Sequence, residues 1–276
     1  MGKFAEKSKM TDRHRDDTQL MGILMESVDM FGISRSALWA FGVHILTASG
    51  AFLAFLSIVS AAEYNFPEAF FWLGMALIVD GVDGPLARKL EVKKWWPHWS
   101  GDTLDNVIDY TTYVMIPAFI LYQSGLLDHT DALGRKEELL SKFYSFTAAA
   151  AIVITSAIYY ADTSIKTEDY GFKGFPVCWN MVVFALFVVS PSPNFSMAII
   201  IIAAVLTFTP IIFIHPGRVK VLRPLNLLAF VLWGVSGLIA VYFDLDNPKA
   251  LDAVFIVCSL YLFCIGFILQ MAGKLR

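Results

Sequence analysis

The stretch Asp80-Gly81-Val82-Asp83-Gly84-Pro85-Leu86-Ala87-Arg88 is followed, after a spacer, by Gly101-Asp102-Thr103-Leu104-Asp105-Asn106-Val107-Ile108-Asp109. Asp80, Asp83, Asp105 and Asp109 fall at the ends of two apolar runs, where ionisable groups are costly and usually functional. Positions 80, 83, 84 and 87 follow the i, i+3, i+4, i+7 spacing of one helical face. That face reads Asp, Asp, Gly, Ala: two carboxylates beside two residues too small to block a ligand. Positions 101, 105 and 109 repeat the device at i, i+4, i+8 as Gly, Asp, Asp. Four carboxylates in one low-dielectric pocket cannot all stay ionised without cations. Two divalent ions would balance them, and all-oxygen ligation suits Mg²⁺ or Mn²⁺. Such a two-metal cluster is the apparatus of phosphoryl transfer. The glycines would let a pyrophosphate approach the backbone, and Arg88, one turn beyond Gly84, would neutralise phosphate charge.

The surroundings of this stretch set the fold class. Of 276 residues, 57% are hydrophobic and only 16% charged, with mean hydropathy +0.61; a soluble domain is roughly half apolar and about a quarter charged. A bilayer crossing takes about 20 apolar residues, and that window predicts about eight spans. They cover 37–62, 67–86, 103–124, 143–161, 174–190, 194–214, 224–243 and 250–272. Pro191 and Pro193 part the fifth from the sixth, Pro224 opens the seventh and Pro248 precedes the eighth. The expected fold is an all-α integral membrane protein. An even number of spans puts both termini on one side. Of the 21 Lys and Arg, only Arg135, Lys136, Lys142 and Lys249 fall on the other side, which predicts cytoplasmic termini. The second span then runs down into the cytoplasm and the third rises from it, so the aspartate faces meet at that interface.

Residues 1–35 read as a cytoplasmic segment without a cleavable signal peptide. Leu20, Ile23, Leu24, Val28 and Phe31 recur at helical spacing, predicting an amphipathic helix on the membrane surface. Residues 36–276 read as one transmembrane domain with no internal repeat. A formal charge of −3 gives no footprint for nucleic acid. Cys178, Cys258 and Cys264 sit in apolar runs and read as small buried hydrophobes.

At these residues the chain resembles the CDP-alcohol phosphotransferase family of membrane phospholipid-synthesis enzymes. The family pattern Asp-x-x-Asp-Gly-x-x-Ala-Arg, a spacer, then Gly-x-x-x-Asp-x-x-x-Asp is filled at every position by Asp80, Asp83, Gly84, Ala87, Arg88, Gly101, Asp105 and Asp109. The long spacer 89–100 is similar to that of the bacterial branch that makes phosphatidylcholine from CDP-diacylglycerol and choline. So are Trp95, Trp96 and Trp99, the text Leu104 to Tyr110, and the stretch His215-Pro216-Gly217-Arg218-Val219. The resemblance implies that the four aspartates arrange two Mn²⁺ or Mg²⁺ ions and that Asp109 is the general base for the acceptor hydroxyl. It implies that Gly84, Ala87 and Gly101 line the CDP pocket, with Arg88 anchoring that half of the site. CMP would be the released product. The family's Asn-x-x-Thr is matched by His44-Ile45-Leu46-Thr47; Thr47 carries over and His44 departs from the pattern. A homodimer in the bacterial inner membrane, with its site facing the cytoplasm, is likewise implied by the resemblance.

Choline's trimethylammonium donates no strong hydrogen bond, so its recognition leans on aromatic faces and nearby negative charge. Tyr113, at i+4 from Asp109, is the preferred position. Tyr110 follows Asp109 directly and points about 100° away. Trp95, Trp96 and Trp99 are further candidates for choline, although they read first as an aromatic belt at headgroup level. Arg218 and Arg223 either hold the diphosphate or simply obey the topology rule, and Lys89, Lys93 and Lys94 read as snorkelling charges. Other acceptors (serine, glycerol phosphate or inositol phosphate) stay open, although a phosphorylated one would want more convergent arginines. A divalent-cation transporter would carry its acids near the midplane on paired halves, which this chain does not.

Overall fold

The computed structural model describes residues 34–130, 133–165, 167, 171–246 and 249–275. The expected amphipathic helix before residue 35 lies outside these described residues. Ser34 starts the bundle by accepting a hydrogen bond from the Ala37 amide at 3.1 Å, a side-chain N-cap. Helix α1 (Arg35–Ala62) runs from there, and a short turn returns the chain as α2 (Phe66–Lys89). The one-turn helix α3 (Val92–Trp95) lies in the spacer, and Ser100 then caps α4 (Gly101–Asp109) through the Thr103 amide. A π-helical turn over Tyr110–Met115 joins α4 to α5 (Ile116–Gln123). The chain continues as α6 (Glu138–Ala161), strand β1 (Phe172–Lys173), α7 (Trp179–Val189), α8 (Pro193–Leu206) and strand β2 (Ile212–Phe213). Helices α9 (Arg223–Tyr242) and α10 (Lys249–Met271) close it.

Among the described residues, α1, α2, α6, α9 and α10 are long and apolar enough to cross a membrane. Their outward faces carry exposed large hydrophobes such as Trp39, Phe52, Phe143, Leu238 and Val257. Buried small polar groups (Ser57, Ser145, Ser156, Ser236 and Ser259) lie between the helices. Apolar outside with small residues at the contacts is the packing of helices in lipid, where close approach replaces the hydrophobic drive. Helix α7 is apolar apart from Asn180, with Trp179, Val183, Phe184 and Leu186 buried. Trp179 donates its indole N–H to Ser156 Oγ on α6 at 2.8 Å.

Two expected spans differ from the sequence reading. The fifth is helical only over Trp179–Val189, and the sixth stops at Leu206. Pro210 lacks the N–H that would extend the sixth span, and Pro176 biases the residue before it away from helical backbone at the start of the fifth. The non-helical ends instead pair as an antiparallel ladder, Phe172 with Phe213 and Lys173 with Ile212. Gly174, at φ +76°, makes this possible, because a Cβ there would lie 2.0 Å from the Thr207 carbonyl oxygen. The all-α expectation misses this small ladder. Of the cysteines only Cys258 is buried; Cys178 is half-buried and Cys264 exposed.

Candidate active site

The site forms where the last turns of α2 meet the first turns of α4 against α1. Helix α2 runs unbroken through Pro85 to Lys89, so Asp80, Asp83, Gly84 and Ala87 do share one side of a continuous helix. Helix α1 contributes His44, Thr47 and Gly50, all buried. Thr47 donates its hydroxyl to Asp83 Oδ2 at 2.7 Å, and Asp83 is buried. At Gly50 α1 packs tightly on α4: a Cβ there would lie 2.9 Å from Ile108 Cγ2.

Carboxylate oxygens of Asp80, Asp105 and Asp109 lie within 4.8 Å of one another. Asp80 and Asp105 are within hydrogen-bonding reach of each other, which two anions tolerate only with a proton or a cation between them. Asp83 joins the same small cavity of about 10 Å³, lined also by Thr47, Gly50, Ile108 and Thr112. That volume suits a water or one small ion. Tyr113 donates its hydroxyl to Asp80 Oδ2 at 2.6 Å, and Arg218, although exposed, lies close enough to act on the Asp80 charge. Oxygen-only donors from three or four carboxylates are the chemistry of a Mg²⁺ or Mn²⁺ site.

The two motif glycines are not demanded by the protein itself. A Cβ on Gly84 would meet only Arg88 Nη1 at 3.5 Å, and one on Gly101 would meet His44 Cε1 at 3.5 Å. Both are ordinary contacts, so the smallness of these positions leaves space open beside the carboxylates. Ala87 is half-buried on the same helix, and Arg88 is exposed at its end.

The aromatic candidates part company. Trp96 donates its indole N–H to the Ala37 carbonyl at 2.8 Å, and Phe41 packs on Trp96 and Trp99 at 5.1 and 5.3 Å. Trp95 packs with Ala40, Val43 and Val92. The spacer therefore clips the start of α4 to the start of α1, a tertiary role that the sequence reading did not contain. Lys93 pairs with Asp102 at 2.8 Å and Lys94 with Glu91 at 3.0 Å, both on the surface. Tyr110 points away from the cluster, as its position after Asp109 predicts, and donates to the Val153 carbonyl at 3.1 Å. Arg223 is exposed in the first turn of α9.

Two residues had escaped notice or been left open. Tyr160, at the end of α6, lies within electrostatic reach of Asp109, Asp80 and Asp105; the paired Tyr159-Tyr160 at a span end was the available signal. His44 is buried against Gly101, and its Nε2 finds no partner among the described residues.

A family model described as CDP-alcohol phosphatidyltransferase matches residues 43–209, which takes in most of α1, both halves of the aspartate motif and Tyr160. This chain belongs to the CDP-alcohol phosphatidyltransferase family. It is 54% identical over 236 residues to a phosphatidylcholine synthase of Rhizobium meliloti (strain 1021), covering 86% of this chain and 92% of that protein. It is 38% identical over 232 residues to a phosphatidylcholine synthase of Pseudomonas aeruginosa, covering 83% and 90%. A phosphatidylcholine synthase of Legionella pneumophila is 32% identical over 203 residues, covering 71% and 75%. The matched residues include both helices that carry the clustered carboxylates.

The close approach at Gly50 yields a prediction for this family member. Gly50→Ala pushes Ile108 and, with it, the neighbouring Asp109, costing about 1–3 kcal/mol of overpacking. Thermal unfolding midpoint and turnover should both fall, and Ile108→Ala in the same chain should restore both by making room. Recovery of neither would show that the α1–α4 contact does not set the carboxylate geometry.

Proposed function

We propose that this chain is a phosphatidylcholine synthase, transferring the phosphatidyl group of CDP-diacylglycerol to choline with release of CMP. The observation that carries this reading is the cluster of Asp80, Asp105 and Asp109 on the filled family pattern, in a chain 54% identical to a phosphatidylcholine synthase. Asp109 accepts the proton of the choline hydroxyl. The freed oxygen attacks the phosphorus that bears diacylglycerol, a new P–O bond forms, and the bond to the CMP oxygen breaks. Asp80, Asp105 and Asp109, with Asp83 beside them, are the residues that would hold one or two Mg²⁺ or Mn²⁺ ions. Bound ions would supply neutralisation of the diphosphate and of the departing CMP. Thr47 holds the Asp83 carboxylate in one orientation by its 2.7 Å hydrogen bond. The CDP moiety has no room in the 10 Å³ cavity and sits above it, along Gly84, Ala87 and Gly101, with Arg88 and Arg218 on its phosphates. Arg223, one short turn beyond, is a further phosphate contact on this reading.

The same reading has about eight crossings, counting the continuous rod Gly101–Gln123 and the short helices α7 and α8 with the five long ones. Both termini, the residues before 36 and the site face the cytoplasm of a bacterial inner membrane, and residues 36–276 act as one domain. The enzyme works as a homodimer.

The test offers choline, serine, ethanolamine, inositol and glycerol phosphate side by side to purified enzyme with CDP-diacylglycerol and Mn²⁺ or Mg²⁺. Choline should be preferred by at least about 100-fold in kcat/KM, the discrimination that a dedicated polar or cationic subsite supplies. Preference for any other acceptor sinks the proposal.

A further inference from the structure

The two aspartates of α2 are each held by a hydroxyl, and the two hydroxyls come from different helices. Thr47, on α1, donates to Asp83 Oδ2 at 2.7 Å. Tyr113, on the π-helical turn that continues α4, donates to Asp80 Oδ2 at 2.6 Å. That length belongs to the short hydrogen bonds made to an ionised acceptor, and an ionised carboxylate offers nothing but acceptors. The partners are thirty-three residues apart in sequence. The bond therefore ties the helix bearing Asp80 and Asp83 to the rod whose first turns bear Asp105 and Asp109.

This tie opposes a local repulsion. Asp80 lies in the field of Asp83 and within hydrogen-bonding reach of Asp105, and an oxygen of Asp109 completes the group within 4.8 Å. Carboxylates gathered this closely push one another apart, which would swing an unrestrained Asp80 side chain out of the cluster. Tyr113 supplies a hydrogen-bond donor without adding a charge, and its hydroxyl also lies within electrostatic reach of Asp109. A ligand oxygen already fixed in orientation has less freedom to lose when an ion arrives.

Resting on the metal-dependent function proposed above, we infer that Tyr113 is a positioning residue, holding Asp80 ready for a divalent ion, and that it is not a choline contact. Its hydroxyl is taken up by Asp80, and its ring is half-buried and packs against the main core of the bundle. The i+4 spacing from Asp109 brings Tyr113 to the cluster, yet its partner is the carboxylate on the opposing helix. Tyr110, in the same turn, has a different role, because it donates to the Val153 carbonyl at 3.1 Å.

The test titrates Mn²⁺ alone into full-length purified protein and follows binding by calorimetry. Tyr113→Phe removes one oxygen and keeps the ring. It should weaken Mn²⁺ binding about tenfold, the low end of what losing the partner of a metal ligand costs. Tyr110→Phe removes a hydroxyl from the same turn that bonds no carboxylate, and should leave Mn²⁺ binding within about twofold. In an Asp80→Ala background, Tyr113→Phe should add no more than about twofold, because the carboxylate that it would release is gone. In turnover assays Tyr113→Phe should need about tenfold more Mn²⁺ for half-activity, with the KM for choline at saturating Mn²⁺ within about twofold of wild type.

Unchanged Mn²⁺ binding in Tyr113→Phe overturns the inference. So does an equal loss in Tyr110→Phe, which would mean only that the turn had loosened, or a full further tenfold loss on top of Asp80→Ala. A raised choline KM with unchanged Mn²⁺ affinity would make Tyr113 a choline contact instead. Should Tyr113→Phe fail to fold, Tyr113→His, which keeps a ring and a hydrogen-bond donor, is titrated in its place and should bind Mn²⁺ more tightly than Tyr113→Leu; equal affinities count against the inference. Wild-type enzyme that ignores choline while these Mn²⁺ shifts appear would overturn the function proposed above and leave this inference standing.

Discussion

Replacing Asp109 with Asn abolishes turnover, lowering kcat by about 10²–10⁴-fold, while a CDP-lipid still binds. The size follows from what the substitution removes. Asn has nearly the shape of Asp and keeps an oxygen for ligation, but it cannot accept the proton of an attacking hydroxyl. Positioned general-base catalysis contributes about 10²–10⁴-fold. Asp109 stands at the end of α4, with its carboxylate among those of Asp80 and Asp105. A loss confined to kcat, with the dissociation constant of CDP-diacylglycerol within a few-fold, is the signature of a group that acts in the transition state. Single-turnover rates and equilibrium binding of a non-hydrolysable CDP-lipid measure the two sides separately. Retained turnover in Asp109→Asn removes the base assignment. Loss of lipid binding would make Asp109 an anchor for the nucleotide instead.

Chelation gives the other large effect. Stripping divalent ions should reduce the rate to background, and Mn²⁺ or Mg²⁺ should restore it. The reason is electrostatic. Asp80, Asp105 and Asp109 lie within 4.8 Å of one another and Asp83 lines the same cavity. Adding a diphosphate to this concentration of negative charge without cations would set like charges at contact. Asp80→Ala should therefore raise the metal concentration needed for half-activity by at least about tenfold, the scale of losing one first-rank oxygen donor. It should do so even though it relieves repulsion, because the donor matters more than the charge relief. Titrating Mn²⁺ against activity in both proteins measures this, and a chelated enzyme that retains its rate would defeat the metal reading altogether. Isothermal binding of Mn²⁺ to protein without substrate gives an independent reading, in which Asp80→Ala should bind fewer ions or bind them more weakly.

Much of this protein is legible along the chain because lipid imposes simple rules. Apolar runs of bilayer length located α1, α2, α6, α9 and α10, and helical periodicity put Asp80 and Asp83 on one face and Asp105 and Asp109 on another. Both are local properties, set by the 3.6-residue turn and by the cost of exposing polar backbone to hydrocarbon. Tyr110 pointing away from the cluster and Tyr113 pointing towards it followed from the same arithmetic, although the π-helical turn between them did not. That turn coincides with Thr111 and Thr112, whose hydroxyls bond the Val107 and Ile108 carbonyls at 2.8 and 3.0 Å, and with Pro117, which supplies no amide. Side-chain hydroxyls that compete for backbone carbonyls, and a proline that leaves a carbonyl without its amide donor, both favour such a local widening.

Long-range packing settled the rest. No periodicity announces that the Trp96 indole reaches back fifty-nine residues to the Ala37 carbonyl, that Gly50 is small because Ile108 presses on it, or that the chain leaves the helix after Leu206 and pairs as a two-residue strand at Ile212–Phe213 instead of completing a span. Tyr160, far from the motif in sequence, enters the field of the carboxylates only because α6 folds back beside α4. The identity and helical phase of the aspartates were thus written locally, in residue type and spacing. Their distances and the neighbours that orient them depend on which helices touch, and contact between distant segments is a property of the packed bundle.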